Sequence, residues 1–208
     1  MRILVTAGPT REYFDAVRYI SNASSGKMGY AIAAEAASRG HKVELVSGPV
    51  DLPPPTGVQV HNVVSAREMH QIAARLFLDC KVAIMAAAVC DYRPRIRLEH
   101  KLPKRTDAWS VDLEPTVDIC AELGCKKGTR VVIGFALEDS HNRQHAEIKL
   151  QRKNCDAIVL NTTDAVGSDQ ATIQVLRPDN GWSVSETGSK SRLAIVLIDL
   201  AEHLAETG

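Results

Sequence analysis

The segment Ser24-Ser25-Gly26-Lys27-Met28-Gly29 places small residues just ahead of an alanine-rich stretch. Such a turn at a helix N-terminus lets backbone N–H groups approach an anion, and the helix dipole favours negative charge. The same residues also serve as plain capping and turn residues, so both readings stand at this point. Two sharper nucleotide signatures are not met. A Walker A loop needs G-x-x-x-x-G-K-[ST], but Met28 follows Gly26-Lys27 and Ser21 stands at the first glycine position. A dinucleotide fingerprint needs G-x-G-x-x-G directly after the first strand and an acid at the end of the second. Here Gly8-Pro9-Thr10 breaks the first half, and Ser47-Gly48-Pro49 ends the second strand.

Other residues could act on the same kind of ligand. Arg11, Arg18 and Asn22 precede the glycine turn. Arginine suits bidentate contact with carboxylate or phosphate, and asparagine can orient an amide or carbonyl. They could equally be incidental polar groups of a solvated loop. Ala86-Ala87-Ala88 ends an apolar run, where small side chains either pack the core or let a substrate lie against the backbone. Asp91 follows, and can hold a divalent cation that bridges phosphates or merely cap the turn. Residues 93–105 carry Arg93, Arg95, Arg97, Lys101, Lys104 and Arg105 with one acid, Glu99. These like charges repel unless a counter-charge is supplied, and a polyanionic ligand would supply it. Mobile basic loops that close over phosphates stabilise transition-state charge and exclude water. Lys149, Arg152 and Lys153 share one helix face by their spacing, either to meet a ligand or simply as an exposed basic helix end helped by the dipole. No Ser/His/Asp grouping, metal-ligand cluster or carboxylate pair is legible.

These residues need a scaffold. The run at 3–6 lacks alternation, as expected of a strand buried on both faces of a parallel sheet. Residues 9–25 read as irregular and polar. A helix is expected over 28–39 with Gly40 as its stop, then a strand over 42–47. Strands are further expected at 58–64, 82–86, 130–135 and 157–160, with helices at 66–79, 116–123, 145–153 and 191–206. Asp179-Asn180-Gly181 between 171–176 and 182–184 signals a hairpin. The alternation implies an α/β, doubly wound, mostly parallel Rossmann-like sheet with a C-terminal β-hairpin extension at about 170–185. Residues 1–208 read as a single nucleotide-binding domain. The connection 8–26 and the loop at about 93–110 are long for such a fold, and long connections are usually functional. Both leave C-terminal strand ends, where ligands bind in open parallel sheets.

Composition narrows the class. The 208 residues are 45% hydrophobic and 24% charged, which excludes a disordered or collagen-like chain. Lys plus Arg and Asp plus Glu stand at 25 each, and only nine residues are aromatic. That balance argues against nucleic acid binding through a broad basic surface. The five cysteines include no C-x-x-C pair, and free structural thiols in a reducing compartment are expected. The first eight residues hold too short an apolar run for a signal peptide, and no segment reaches ~18 apolar residues. A soluble cytoplasmic protein without membrane contact is the expectation.

Taken in order, Val5-Thr6-Ala7-Gly8-Pro9-Thr10-Arg11-Glu12, Val17-Arg18-Tyr19-Ile20-Ser21-Asn22 and the 24–29 turn resemble the phosphopantothenate–cysteine ligases. That family is the ligase half of the bifunctional bacterial coenzyme A biosynthesis protein. The likeness continues through Leu45 to Pro49, Ala86 to Arg93, Gly134 to Glu138 and Lys149 to Asn154, covering essentially the whole chain.

The resemblance implies a reaction. The family joins 4′-phosphopantothenate to L-cysteine, and its bacterial type uses CTP with Mg²⁺. The pantothenate carboxylate attacks the α-phosphate to give an acyl-cytidylate and pyrophosphate; the cysteine amine then displaces CMP. By motif, Asn22 matches the asparagine that binds and serves the intermediate. Arg18 matches the arginine of the cysteine-dependent half-reaction, and Lys101 matches the flap lysine required there. Ala87 and Ala88 match residues lining the substrate and nucleotide sites. Asp91 matches the acid near the triphosphate and its cation. Ser24 and Ser25 would lie near phosphate, Phe135 at the base, and Lys149 and Lys153 at the nucleotide. Homodimers are implied, as is a decarboxylase domain, fused or separate. Two departures stand out: Pro103 replaces the third-position lysine of the K-x-K-K flap motif, and Cys90 stands where alanine is common. The rival expectations are an NAD(P)-dependent oxidoreductase and a non-catalytic binding subunit.

Overall fold

A computed structural model describes residues 1–104, 106–138, 143–162 and 167–207. Arg105 of the basic run, His141 and the side chain of Glu138 lie outside the described residues. The chain opens with β1 (Arg2–Ala7), whose Ile3, Leu4 and Val5 are fully buried. Next come two short strands, β2 (Arg11–Tyr13) and β3 (Tyr19–Ser21), then α1 (Lys27–Ser38) and β4 (Lys42–Ser47). They are followed by β5 (Val58–Asn62), α2 (Ala66–Phe77), β6 (Val82–Met85), β7 (Tyr92–Pro94) and β8 (Leu113–Pro115). Then come α3 (Ile119–Cys125), β9 (Val131–Glu138), α4 (Arg143–Arg152) and β10 (Ala157–Thr162). The chain closes with β11 (Gln170–Arg177), β12 (Gly181–Trp182), β13 (Glu186–Ser189) and α5 (Lys190–Thr207).

The main sheet runs β12-β11-β10-β9-β6-β1-β4-β5, with β13 also paired to β11. The six strands from β10 to β5 are parallel, and β11 joins antiparallel to β10. Successive side chains of a strand face opposite ways. Ile3, Val5 and Ala7 therefore pack with α1 and α5, while Leu4 packs with α2, α3 and α4. Helices cover both faces, as a doubly wound sheet requires. The chain leaves β1 toward β4 and β5, then returns to lay β6 on the other side of β1. Between the C-terminal ends of β1 and β6 the winding reverses, and such a reversal opens a ligand crevice.

Three expectations need correction. Residues 9–25 are not irregular throughout: β2 and β3 form an antiparallel pair. The helix expected over 116–123 begins only at Ile119, because the Asp118 side chain accepts from Ala121 N–H and caps it. Thr116 instead donates its N–H to Asp91 O and its hydroxyl to Cys90 O, so the chain there belongs to the crevice rim. The C-terminal extension is more than a hairpin, since β13 returns to pair with the first half of β11.

Candidate functional site

The crevice floor is stitched by the backbone. Ala88 N–H donates to Gly8 O at 2.9 Å, and Thr10 N–H to Ala88 O at 3.3 Å. Cys90 N–H donates to the buried Thr10 hydroxyl at 2.9 Å, and Ala87 N–H to Thr6 Oγ1 at 3.3 Å. These bonds hold 86–90 as a continuation of β6 beside the 8–10 loop. Ala87 and Ala88 then offer only methyl groups to a cleft that opens to either side of them.

On one side stands the turn before α1. Gly26 caps the helix with φ of +73°, and no side chain caps the first N–H groups. Ser24, Ser25 and Gly26 line this side together with Phe135. Lys27, which a P-loop would aim at phosphate, instead donates to Asp169 Oδ1 at 2.6 Å. Gly29 lets the helix sit against β1, since a Cβ there would lie 2.5 Å from Ala7 Cβ.

The other side is a cleft of about 860 Å³ bordered by Asn22, Asp91, Phe135, Lys149 and Lys153. Lys153 Nζ pairs with Asp118 at 3.1 Å, and Arg152 reaches the same carboxylate at 3.8 Å. Asn22 Nδ2 donates to Val89 O at 2.9 Å and to Ala88 O at 3.4 Å. Those bonds tether Asn22 to the floor and leave its Oδ1 as the free polar end by chemistry. Among the described residues no three His, Cys, Asp or Glu side chains gather into a metal-holding group. Asp91 shares the cleft with one other carboxylate, Asp118, which is paired to Lys153 and Arg152. It suits a Mg²⁺ that arrives on phosphates and keeps most of its water, and does not suit a resident metal cage.

Arg18 and Lys101 sit one step outside. Arg18 forks onto the fully buried Asp15 carboxylate at 2.6 and 2.8 Å, and donates to Leu102 O at 2.8 Å. Leu102 N–H in turn donates to Asp15 at 3.2 Å. The guanidinium also lies 5.4 Å from the Trp109 ring and 5.6 Å from that of Phe14. Arg18 thus clasps the flap to the β2–β3 hairpin. Burial alone would raise the Asp15 carboxyl, but hydrogen bonds from the Arg18 and Val17 N–H groups, the guanidinium and Leu102 N–H outweigh it. The carboxyl is held well below the usual range. Lys101 lines a hollow with Arg18, Pro103 and Trp109, not the main cleft.

The structure therefore gathers Asn22, Ser24, Ser25, Ala87, Ala88, Asp91, Phe135, Lys149 and Lys153 about one cleft, with Arg18 and Lys101 in the adjoining flap. Sequence reasoning missed Asp15, Thr6 and Thr10, which brace the site from behind or, for Thr6, from its border. Their partners are fixed only by folding, so no local spacing signals them. It also missed Asn161 and Lys190 on the α1 side. Burial, followed by the nearby Lys27 charge, pushes the Lys190 amine down.

Known proteins resemble this chain in sequence and fold. A protein of an unknown prokaryotic organism named cysteine/cysteine sulfinic acid decarboxylase is 40% identical over 203 residues, covering 95% of this chain and 56% of its own length. The coenzyme A biosynthesis bifunctional protein CoaBC of Bacillus subtilis is 41% identical over 167 residues, covering 80% of this chain and 41% of its own length. This chain spans about half the length of the curated relatives it matches. The crystal structure of a CoaBC C-terminal domain superposes with a TM-score of 0.86 at 38% identity, covering 100% of this chain and 96% of that one. A Cab2 variant solved with phosphopantothenate-cysteine shares the fold, with a TM-score of 0.81 at 15% identity over 99% of this chain and 88% of that one. The family described as DNA/pantothenate metabolism flavoprotein C-terminal domain matches residues 1–204, and the chain belongs to it.

Proposed function

We propose that this chain is a ligase that joins 4′-phosphopantothenate to L-cysteine at the expense of CTP, in coenzyme A biosynthesis. The observation that supports it most is the cleft at the β1/β6 reversal, with open α1 N–H groups on one side and Lys149 and Lys153 on the other. Membership of the family and the ligand of the distant Cab2 structure point the same way.

In this reading the Ser24–Gly26 turn and the two lysines bind the triphosphate, and Phe135 with its backbone borders the cytosine. Charge that moves onto pyrophosphate as it leaves meets groups already in place, the arrangement that stabilises such a transition state. Asp91 would be the protein carboxylate for a Mg²⁺ bound with the phosphates, and that ion would supply charge neutralisation there. Asn22 binds the acyl-cytidylate: its amide is anchored on the 88–89 carbonyls and its Oδ1 is free to accept. Ala87 and Ala88 let the pantothenate lie along the backbone. Arg18 holds the flap, and Lys101 moves in with the flap for the attack by cysteine. Residues 1–208 act as one domain, with the flap at about 93–110 and the hairpin extension at about 170–185. A homodimer, a fused or separate decarboxylase partner and a cytoplasmic location belong to the same proposal. No helix of the described residues is long and apolar enough to cross a membrane.

The oxidoreductase reading loses its ribose site. Where a dinucleotide fold places an acid, β4 ends in Ser47, whose hydroxyl bonds Tyr30 and Gly48 O. Gly48 itself abuts the 9–10 turn, since a Cβ there would sit 1.7 Å from Pro9 O. The test is product formation: purified protein with phosphopantothenate, L-cysteine, Mg²⁺ and CTP should yield the amide and CMP. ATP preferred over CTP would overturn the base assignment. No amide with either nucleotide, from folded protein, would overturn the ligase in favour of a binding subunit.

A further inference from the structure

The cleft wall carries a feature that ligation does not use. Cys120, in the first turn of α3, borders the cleft and is half-buried. Cys155, just before β10, is only 3% exposed. The two residues are 35 positions apart, yet their sulfurs lie 3.5 Å from each other. Gly134 of β9 leaves the space they share, for a Cβ there would stand 3.3 Å from Cys120 Sγ and 3.2 Å from Cys155 Sγ. The Lys153–Asp118 ion pair spans the same junction. Structural thiols without partners are what the sequence suggests; the fold instead makes two of them a pair, one on a half-buried residue that borders the cleft and the other on a buried residue behind it.

We propose that Cys120 and Cys155 form a dithiol modification site, which low-molecular-weight disulfides oxidise to an intramolecular disulfide on the wall of the cleft. Cys120 attacks first. Its thiolate is favoured chiefly by a hydrogen bond from the Cys155 thiol, against desolvation, with help from the Lys153 charge. The Cys155 thiol is pushed up, first by its bond to Cys120 and then by burial, so it keeps its proton. The Cys120 thiolate forms a bond to one sulfur of the reagent RSSR, and the S–S bond of the reagent breaks to release RS⁻. Cys155 sulfur then attacks Cys120 Sγ, expelling the second RS⁻, which takes up the Cys155 proton. The protein pair loses two electrons and two protons, and the reagent becomes two thiols. Closing a disulfide needs the sulfurs to approach to ~2.05 Å. That motion draws the first turn of α3 toward the start of β10 and carries the Asp118–Lys153 pair with it.

The effect on ligation rests on the function proposed above; the thiol chemistry does not, so it is read first and separately. Full-length protein carrying Cys125→Ser, which removes the exposed competitor, is treated with oxidised glutathione. Peptide mapping should show Cys120 linked to Cys155 and the intact mass lower by two hydrogens. In Cys155→Ser the same reagent should remain trapped on Cys120. In Cys120→Ser, Cys155 should react at least about tenfold more slowly, because its sulfur is covered. Excess reductant should restore both thiols. Both sulfurs still reduced in folded protein, or Cys155 reacting as fast as Cys120, would overturn the proposal. In the oxidised protein, slowed amide formation that reductant restores would place the switch on the catalytic cleft; unchanged amide formation would confine it to the wall.

Discussion

Asn22 shows how one amide group can be read at the scale of atoms. Its Nδ2 holds the 88–89 carbonyls while Oδ1 is left for substrate. Asn22→Asp replaces that donor with an anion facing two carbonyl oxygens and an anionic substrate. That donor tethers the side chain and does not meet the reacting oxygen, so the cost is one of misplacement, on the order of 10² in rate. Steady-state kinetics should show that loss in kcat with the thermal midpoint little changed; a near-normal kcat would remove Asn22 from the chemistry. Asp15 makes a different prediction. Its folded pKa is depressed, so its contribution to stability is present above the unfolded value near ~3.9 and is lost as pH falls through the folded pKa. The thermal midpoint of the wild type should fall more steeply below about pH 4 than that of Asp15→Asn, which should already be lower at pH 7. Parallel curves would contradict the clasp. The residue types near the cleft were legible, because glycine turns, alanine runs and lysine spacing are local. Asp15 was not, because its role depends on Arg18 and on Leu102, 87 positions away.

At the scale of elements, the turn into α1 depends on a conformation that L side chains avoid. In Gly26→Ala the left-handed φ costs about 1–2 kcal/mol, and the new Cβ would stand 2.8 Å from Val50 Cγ1. The variant should melt lower and bind CTP more weakly. Adding Val50→Ala should recover part of the stability, because it relieves the contact and leaves the strain. Full recovery would mean that the backbone conformation is unimportant there. The flap element carries the next prediction. Lys101 stands outside the main cleft with Arg18, so its proposed role requires the flap to close. Lys101→Gln should still release pyrophosphate from CTP but accumulate the acyl-cytidylate with cysteine present. Normal amide formation would contradict its assignment. The central strands β1, β4, β6, β9 and β10 were readable because their apolar runs are buried on both faces. The β2–β3 pair was not. Arg11-Glu12-Tyr13 looks solvated, yet Glu12 is buried because it accepts from Ala66 N–H at 2.7 Å, from another part of the chain. Polar strands whose groups are satisfied at long range leave no hydrophobic period to read.

At the scale of the whole molecule, strand order rather than any one motif creates the cleft. The reversal between β1 and β6 brings residues from 22–26, 87–91, 135 and 149–153 to one sheet edge. The sequence alternation implied this sheet, but its pairing order came only from the fold. The two nucleotide fingerprints that failed did so for a reason now visible. Gly8 and Gly48 serve the close packing of two loops, and Lys27 serves Asp169. The proposed ligase chemistry is tested at its first step by pyrophosphate release from CTP and Mg²⁺ with phosphopantothenate in the absence of cysteine. Release should require phosphopantothenate and yield a bound acyl-cytidylate, which cysteine then converts to the amide. Release that is independent of phosphopantothenate, or that occurs only once cysteine is added, would contradict that chemistry.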